Sequence, residues 1–312
     1  MLYRPLGRSG VDVSAISLGT VELGQEYGIP APGAAARPDE EGAARMVLAA
    51  IDRGVNLIDT SPAYGDSEER VGRILGSRRM KVLLATKARI EPDRRGAAIR
   101  GTLRASVERS LAALRTDYLD IVQVQNATSE TLALDEPIQE IRALRDEGKT
   151  RFLGASVYGP EAAEVAMGLG VFDVLQIAYS VLDQRPADRV LPAAAGRGIG
   201  ILVRSVLLKG ALTARGEHLP APLEPVRDRS RAFRRLVAER FGPGREARIA
   251  ISFALARREV SSVLVGVSSV DEMEEDLASL DDAELPSDFL ESARGLRIDD
   301  PRLVDPRLWP SV

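Results

Sequence analysis

Two apolar segments of the chain end in residues that could carry out proton transfer. The run 55–58 leads into Asp59, and Tyr64 follows five residues later on a loop bounded by proline and glycine. The run 82–86 leads in the same way into Lys87. In a barrel of parallel strands, side chains at the strand ends and on the loops that follow them share one face. The spacing therefore predicts a single site that contains an aspartate, a tyrosine and a lysine.

These three side chains suit one kind of reaction. A free tyrosine has a pKa of about 10 and is a poor acid, but a neighbouring ammonium favours the phenolate and lowers that pKa. We therefore expect Lys87 to tune Tyr64, and Asp59 to hold Lys87 in place. The phenol could then give a proton to a carbonyl oxygen as hydride reaches the carbon, or take one in the reverse direction. The alternative interpretation is an ordinary buried ion pair beside an unrelated loop tyrosine.

The composition excludes several other classes of protein. The chain has 312 residues, 45% hydrophobic and 28% charged, which is enough for a large core. A net charge of -4 argues against a general nucleic-acid binder. There is no cysteine and His218 is the only histidine, so we expect no disulfide, no histidine-based triad and no metal site. No apolar run is long enough to span a membrane and no signal peptide is recognisable, so we expect a cytoplasmic protein.

Strand-like and helix-like segments alternate along the chain without a break in composition. The predicted strands are 15–19, 55–59, 82–86, 118–124, 151–156, 174–177, 199–203 and 263–266. The predicted helices are 39–53, 67–76, 97–114, 135–147, 160–169, 187–196, 245–258 and 270–280. This order predicts a single α/β domain over residues 1–312, a (β/α)8 TIM barrel. Residues 1–14 carry a β-hairpin signal that could plug the barrel floor, and the insert 208–243 is expected to hold a surface helix.

The chain resembles the aldo-keto reductase family over nearly its whole length. The resemblance rests on short blocks in combination: Leu18-Gly19-Thr20, Asn56-Leu57-Ile58-Asp59-Thr60, Tyr64-Gly65, Thr86-Lys87, Tyr118-Leu119-Asp120, Arg151-Phe152-Leu153-Gly154-Ala155-Ser156, Gln176 and Gly266. It implies a (β/α)8 barrel that binds NADPH or NADH at its C-terminal mouth and transfers hydride to aldehydes, ketones or sugars. By motif position, Asp59, Tyr64 and Lys87 match three of the four catalytic residues of the family.

The fourth catalytic position departs from the family pattern. The family has a histidine at the end of the fourth strand, in a block that reads D-x-x-x-x-H-N, and this chain has Gln125 in the block that begins at Asp120. A glutamine amide can donate a hydrogen bond to a substrate oxygen but does not titrate. We therefore expect Gln125 to orient the substrate, with a simpler pH dependence. In this family, changes here accompany altered reactions such as C=C reduction; neutral drift in an ordinary reductase is the alternative.

Family positions that bind the cofactor can also be identified. They are occupied by Gly19, Thr20, Asp59, Ser156, Gln176, Arg204, Ser205, Leu207, Gly210, Gly266, Ser268, Ser269 and Asp276. The resemblance implies that Ser156 and Gln176 hold the nicotinamide amide. It also implies that the loop from Ser205 to Gly210 wraps the pyrophosphate. Arg204 replaces a frequent aromatic residue, and its guanidinium could stack on the nicotinamide or bind a carboxylate or phosphate.

The segment after the eighth strand leaves two cofactors possible. Family members often place basic side chains there to meet the 2′-phosphate of NADPH, but residues 266–276 contain no lysine or arginine. Ser268 and Ser269 at a helix N-terminus could bind a phosphate through free N–H groups. Glu272 and the acids that follow it oppose this binding. Because members of the family usually bind NADPH, we expect NADPH as the cofactor, with NADH as the alternative.

The function predicted from these residues is NAD(P)H-dependent oxidoreduction of the carbonyl or alcohol group of a small substrate, with Tyr64 as the acid/base. Aromatic residues make up only 4% of the chain, so few can line an apolar pocket, which favours a polar, sugar-like substrate. One alternative is an enzyme with changed chemistry: an enoyl reductase, a sugar epimerase or an NAD-linked sugar dehydrogenase. Another is a non-catalytic redox sensor that only binds the cofactor. We expect a monomer or a small homo-oligomer.

Overall fold

The eight strands predicted from the sequence close into one parallel barrel. The computed structural model describes residues 1–30, 37–91, 96–282 and 284–310. The strands are β1 (Tyr3–Pro5), β2 (Asp12–Ser14), β3 (Ile16–Gly19), β4 (Leu57–Asp59), β5 (Leu83–Arg89), β6 (Leu119–Ala127), β7 (Thr150–Val157), β8 (Val174–Ala178), β9 (Gly200–Arg204) and β10 (Ser262–Gly266). β1 and β2 form an antiparallel hairpin, and β3 to β10 form the barrel in sequence order, with β10 paired to β3. Both the (β/α)8 barrel and the hairpin are thereby confirmed.

Helices connect the barrel strands and pack around them. The α-helices are α1 (Val21–Gly24), α2 (Glu40–Asp52), α3 (Ser67–Leu75), α4 (Ala97–Ala113), α5 (Ser129–Leu132), α6 (Asp135–Asp146), α7 (Gly159–Gly168), α8 (Pro186–Gly196), α9 (Glu224–Phe241), α10 (Glu246–Leu255), α11 (Val270–Leu277), α12 (Ser287–Arg294) and α13 (Pro301–Val304). Short 3-10 helices span Gly76–Lys81, Leu208–Gly210, Ala214–His218, Ala221–Leu223 and Ala278–Asp282. Helix α9 is the one expected in the insert. Within the described ranges, no helix has both the length and the hydropathy to cross a lipid bilayer.

The hairpin closes the N-terminal end of the barrel. Leu6 and Val13 are fully buried and pack against interior side chains of the barrel strands. A Cβ atom on Gly200, at the start of β9, would lie 2.7 Å from Leu6 Cδ1, so the approach requires glycine. Arg4 of β1 donates a hydrogen bond to the main-chain oxygen of Leu255 (2.8 Å) at the end of α10. The hairpin thus fills this end of the barrel, opposite the C-terminal ends of the strands.

Strand β6 is irregular where it reaches the C-terminal end of the barrel. Its pairing with β7 is regular up to Val124 and shifts register before Ala127. A bulge of this kind redirects the side chains beside it. Gln125 lies in the shifted segment.

The chain after α13 returns to the C-terminal end of the barrel. Trp309, the only tryptophan, is 7% exposed, and its Nε1 donates to the main-chain oxygen of Leu303 (3.1 Å). Pro306 and Arg307 from the same segment reach the cavity at the barrel mouth. The tail therefore forms part of the rim of this cavity.

Candidate active site

A cavity of about 720 Å³ opens at the C-terminal end of the barrel, and all eight barrel strands contribute to its wall. The predicted site residues that line it are Gly19, Thr20, Asp59, Tyr64, Lys87, Gln125, Ser156, Gln176, Arg204, Ser205, Leu207, Gly210, Gly266, Ser268 and Asp276. Ser269 lies outside this wall, since its side chain caps α11 by accepting a hydrogen bond from the main-chain N–H of Glu272 (3.1 Å). Residues far apart in the sequence thus meet in one place.

Asp59 and Lys87 form a buried ion pair in the cavity, and each is only 3% exposed. Lys87 Nζ donates to Asp59 Oδ2 (2.5 Å) and to the main-chain oxygen of Thr60 (2.9 Å). Asp59 ends β4, whereas β5 continues through Lys87 to Arg89 instead of ending before the lysine as predicted. Burial opposes the charge of Lys87, but Asp59 and Tyr64 outweigh burial and raise the pKa of this lysine. Lys87 is therefore a fixed cation.

Two glutamine amides hold the other oxygen of Asp59. Gln123 Nε2 (2.8 Å) and Gln176 Nε2 (2.9 Å) both donate to Asp59 Oδ1. Gln176 also donates to Gln123 Oε1 (3.1 Å) and accepts from Ser156 Oγ (3.3 Å). Donors on both oxygens fix the orientation of Asp59 toward Lys87. Gln123 was not among the predicted site residues. The sequence does indicate it, because an amide inside an apolar strand is buried and needs a hydrogen-bond partner there.

Close backbone packing positions Tyr64 beside the lysine. Lys87 Nζ lies 4.9 Å from the centre of the Tyr64 ring. A Cβ on Gly24 of α1 would lie 1.6 Å from the carbonyl oxygen of Tyr64. Gly65 has a φ of +56°, and a Cβ there would lie 2.2 Å from the carbonyl oxygen of Gly24. Only glycine fits at either position, so these two residues fix the loop that carries the tyrosine.

The surroundings of Tyr64 favour the protonated form of its phenol. Burial raises the pKa of Tyr64, while the cations Lys87 and Arg204 act in the opposite direction. The lowering expected from Lys87 is therefore present but smaller than the effect of burial. A protonated phenol at neutral pH suits a group that donates a proton to a carbonyl oxygen.

The Gln125 amide is anchored through its oxygen. Ser61 Oγ donates to Gln125 Oε1 (3.3 Å). Gln125 lines the cavity, and its amide nitrogen is the end that can donate to a ligand. This side chain can therefore orient a substrate oxygen near Tyr64 without taking part in proton exchange.

An aromatic ring between two guanidinium groups forms part of the cavity wall. The Cζ atoms of Arg204 and Arg307 lie 3.8 Å and 3.1 Å from the centre of the Tyr158 ring. Two guanidinium groups fit this close to one ring only on its opposite faces, where each makes a cation–π contact. Arg204 also donates to the main-chain oxygen of Val157 (2.9 Å) and to Ser205 Oγ (3.3 Å). Tyr158 and Arg307 were not predicted as site residues, because only the folded chain brings them together.

The loop after β9 has a strained backbone. The φ angles of Ser205, Leu208 and Lys209 are 58°, 50° and 58°, in the left-handed region. Such conformations cost on the order of 1 kcal/mol or more at non-glycine residues, and they cluster at ligand sites. Turns of mixed handedness can also form a concave surface of N–H groups that binds anions. Lys209 and Arg215 add positive charge to this side of the cavity.

Carboxylates collect where the cavity meets β10 and α11. The side chains are Glu22, Glu272, Glu275 and Asp276. Glu272 Oε2 accepts a hydrogen bond from the main-chain N–H of Ser268 (2.7 Å), and Arg215 lies 3.7 Å from the other oxygen. The N-terminus of α11 is therefore already capped by a carboxylate of its own helix.

Glu22 packs against the end of β10. A Cβ on Gly266 would lie 2.2 Å from either carboxylate oxygen of Glu22. Within the described part of the chain, Oε2 of Glu22 is shielded from solvent and has no hydrogen-bond partner. Burial, and to a smaller extent the charge of Glu272, raises the pKa of Glu22 to about 7. This carboxyl group consequently changes charge near neutral pH.

The residues at the cavity wall fit the dinucleotide that the family resemblance implies. Gly19 and Gly266 are paired at two adjacent strand ends, and both line the cavity. The strained loop from Ser205 onward offers N–H groups to an anion. Ser156 and Gln176 line the same space, where they are hydrogen-bonded to each other (3.3 Å). The cavity volume also lies in the usual range for cofactor sites.

Comparisons with known proteins agree with this geometry. The profile of the Aldo/keto reductase family matches residues 15–298. The chain is 32% identical over 295 residues to the L-galactose dehydrogenase of Arabidopsis thaliana, covering 90% of this chain and 88% of the relative. It is 30% identical to the NADH-specific methylglyoxal reductase of Escherichia coli, over 67% of this chain and 68% of the relative. The holo form of aldo-keto reductase AKR11C1 from Bacillus halodurans has a TM-score of 0.77 at 25% identity, covering 97% of this chain and 99% of that one.

The matched segment contains every barrel strand and all four predicted catalytic positions. The solved relative shares the fold over almost the full length of both chains. This protein therefore belongs to the aldo/keto reductase family.

Proposed function

We propose that this protein transfers hydride between a nicotinamide cofactor and a carbon of a small, polar, sugar-like substrate, with Tyr64 as the acid/base. Membership of the family makes it an NAD(P)-dependent oxidoreductase that acts on carbonyl or alcohol groups. The observation that carries the proposal is the buried Asp59–Lys87 pair beside Tyr64 in the cavity. The polar groups of the wall and the similarity to an L-galactose dehydrogenase support the sugar-like class.

Each catalytic group has one task in this proposal. The bound cofactor supplies or accepts the hydride at the substrate carbon. Tyr64 donates its proton to the carbonyl oxygen during reduction and takes a proton during oxidation. The Lys87 cation stabilises the phenolate that remains, and Asp59 holds Lys87 in place. Gln125 donates an amide N–H to the same substrate oxygen and orients it.

The carboxylates near α11 favour NADH over NADPH. Glu272 already accepts from the Ser268 N–H, a group that a 2′-phosphate would need. A phosphate carries a charge of about -1.5 to -2 at neutral pH, and the Glu272 carboxylate would repel it, together with Glu22 in its ionised form. We therefore propose NADH as the preferred cofactor, whereas the sequence alone placed NADPH first. The NADH-specific relative in Escherichia coli supports the same preference.

Calorimetric titration with NADH and NADPH tests the cofactor proposal. We expect NADH to bind at least about tenfold more tightly, which is about 1.4 kcal/mol. Glu272→Gln should narrow the difference by improving the binding of NADPH. The control is Glu274→Gln, on the same helix but paired with Arg53 outside the cavity, which should leave the ratio unchanged. Equal affinities in the wild type, or tighter binding of NADPH, would contradict the proposal.

Deuterium transfer tests the reaction itself. The protein is incubated with NADH deuterated at the transferred position and with a panel of aldehydes, ketones and sugars. We expect deuterium at the carbinol carbon of the product. Gln125 in place of histidine favours a second candidate, reduction of a C=C bond; with an α,β-unsaturated ketone in the panel, deuterium at a former C=C carbon with the carbonyl retained would identify that reaction.

A further inference from the structure

Among the residues that the structure describes, Arg204 has no carboxylate partner. In the described chain it donates to Val157 and Ser205, which are neutral hydrogen-bond acceptors, and its Nε is shielded from solvent without a partner. By contrast, Arg307 on the other side of the Tyr158 ring is paired with Asp305 (2.6 Å). A partly buried charge is costly unless an opposite charge accompanies it. The structure therefore leaves a place for an anion beside Arg204.

The Arg204 charge lies on the side of the cavity where the reaction is proposed. Arg204 ends β9 and lines the same cavity as Tyr64 and Gln125. Its charge acts on the phenols of both Tyr64 and Tyr27, lowering the pKa of each against the larger effect of burial. An anion bound there would belong to a molecule whose other atoms reach Tyr64.

The stacking of Arg204 on Tyr158 determines which part of its guanidinium can bind an anion. The ring covers one face of Arg204 and fixes the plane of the group. A guanidinium binds carboxylates and phosphates through its N–H edge, in paired hydrogen bonds. Arg204 has five N–H donors; the contacts with Val157 and Ser205 use one on each Nη, and the Nε donor is shielded from solvent, which leaves one N–H on each Nη for a ligand. The remaining donors are held in a fixed orientation, which lowers the entropy cost of binding.

From this arrangement we infer that the substrate carries an acidic group, a carboxylate or a phosphate, which binds to Arg204 while the carbonyl oxygen lies at Tyr64 and Gln125. The inference rests on the proposed oxidoreductase function and narrows its substrates from polar molecules to anionic ones. The acidic group would neutralise the charge of Arg204, for which the described residues provide no carboxylate. Arg204 is thus a residue that determines substrate specificity.

Pairs of aldehydes that differ only in charge test this inference. The first pair is succinic semialdehyde and its methyl ester, and the second is glyceraldehyde and its phosphate ester; comparing the pairs separates carboxylate from phosphate recognition. We expect kcat/KM to be about 10- to 100-fold higher for the charged member of at least one pair, as for a hydrogen bond to a charged group. Arg204→Gln should remove most of this preference by raising KM for the charged aldehyde, and Arg204→Lys should retain part of it.

Two controls keep the result interpretable. Arg189→Gln removes an exposed cation, 67% exposed and paired with Glu164, and should retain the preference for charge. Circular dichroism and urea denaturation check that each variant is folded, and calorimetry measures its affinity for NADH. Turnover with equal kcat/KM for charged and neutral aldehydes in the wild type would overturn this inference alone. Loss of NADH affinity in Arg204→Gln without a change in charge preference would assign Arg204 to the cofactor. Absence of both NADH binding and turnover would instead overturn the proposed function.

Discussion

At the scale of single residues, the Tyr64 hydroxyl is the group on which the proposed chemistry depends. We expect Tyr64→Phe to lower turnover by about 10²- to 10⁴-fold, the usual contribution of a positioned acid or base. The ring and its contact with Lys87 are retained, so NADH affinity measured by calorimetry should persist. The control is Tyr118→Phe, whose exposed hydroxyl lies outside the cavity. Turnover that survives in Tyr64→Phe would show that another group is the acid, or that the protein acts only by binding cofactor.

Gln125 makes a specific prediction about pH dependence. Since an amide does not titrate, position 125 should add no inflection to the wild-type pH–rate profile between about pH 6 and pH 8. Gln125→His introduces an imidazole with an ordinary pKa of about 6.5, so the pH–rate profile should gain an inflection in this range. Gln125→Leu should slow the reaction without adding an inflection. A profile that is the same for the histidine and leucine variants would contradict contact between this position and the substrate.

Glu22 links protein stability to pH. Its pKa in the folded protein is raised to about 7, so between about pH 4.5 and pH 7 the folded state binds more protons than the unfolded state. Stability therefore falls as the pH rises through this window. Glu22→Gln removes this loss, and we expect the variant to be about 3 kcal/mol more stable at about pH 8 but similar at about pH 4.5. Urea denaturation at both pH values measures this, with exposed Glu26→Gln as the control. An equal effect at both pH values would contradict the assignment.

At the scale of elements, we expect the contact between α1 and the Tyr64 loop to affect activity, because it positions the tyrosine. Gly24→Ala would place a Cβ 1.6 Å from the carbonyl oxygen of Tyr64, so the loop must move. A displacement of about 1 Å can cost about 100-fold in rate. We expect kcat to fall strongly in this variant. Gly101→Ala in α4 has open space around it and should leave kcat unchanged while stabilising the helix. A Gly24→Ala enzyme with normal kcat would show that the glycine contact does not position Tyr64.

The elements themselves were largely predictable, because hydrophobic runs and helical periodicity are local properties of the sequence. The strand ending at Asp59 and the helix in the insert both appear in the structure. The contacts that support the catalytic side chains were less predictable from the sequence. Gln123 and Tyr158 act through neighbours that only barrel closure brings near. Glu272 could be recognised as an acid, but its hydrogen bond to its own helix N-terminus depends on the turn before α11.

At the scale of the whole molecule, we expect the two ends of the closed barrel to unfold together. We expect residues 1–312 to form a single domain that unfolds in one transition, with calorimetric and van't Hoff enthalpies that agree. Leu6→Ala at the floor should lower stability by about 2–5 kcal/mol through the cavity it creates, and the whole transition should move. Leu308→Ala, at a position that is 56% exposed, is the control. Two separate transitions, with only one affected by Leu6→Ala, would contradict a single cooperative unit.

The buried tail gives the molecule a natural optical reporter. Trp309 is the only tryptophan, and it belongs to the segment that contributes Pro306 and Arg307 to the cavity rim. Its intrinsic fluorescence therefore originates from one known place, beside the mouth through which ligands enter. Changes in emission on ligand addition would report rearrangement of this rim, and stopped-flow recording would show whether the tail moves before or after hydride transfer.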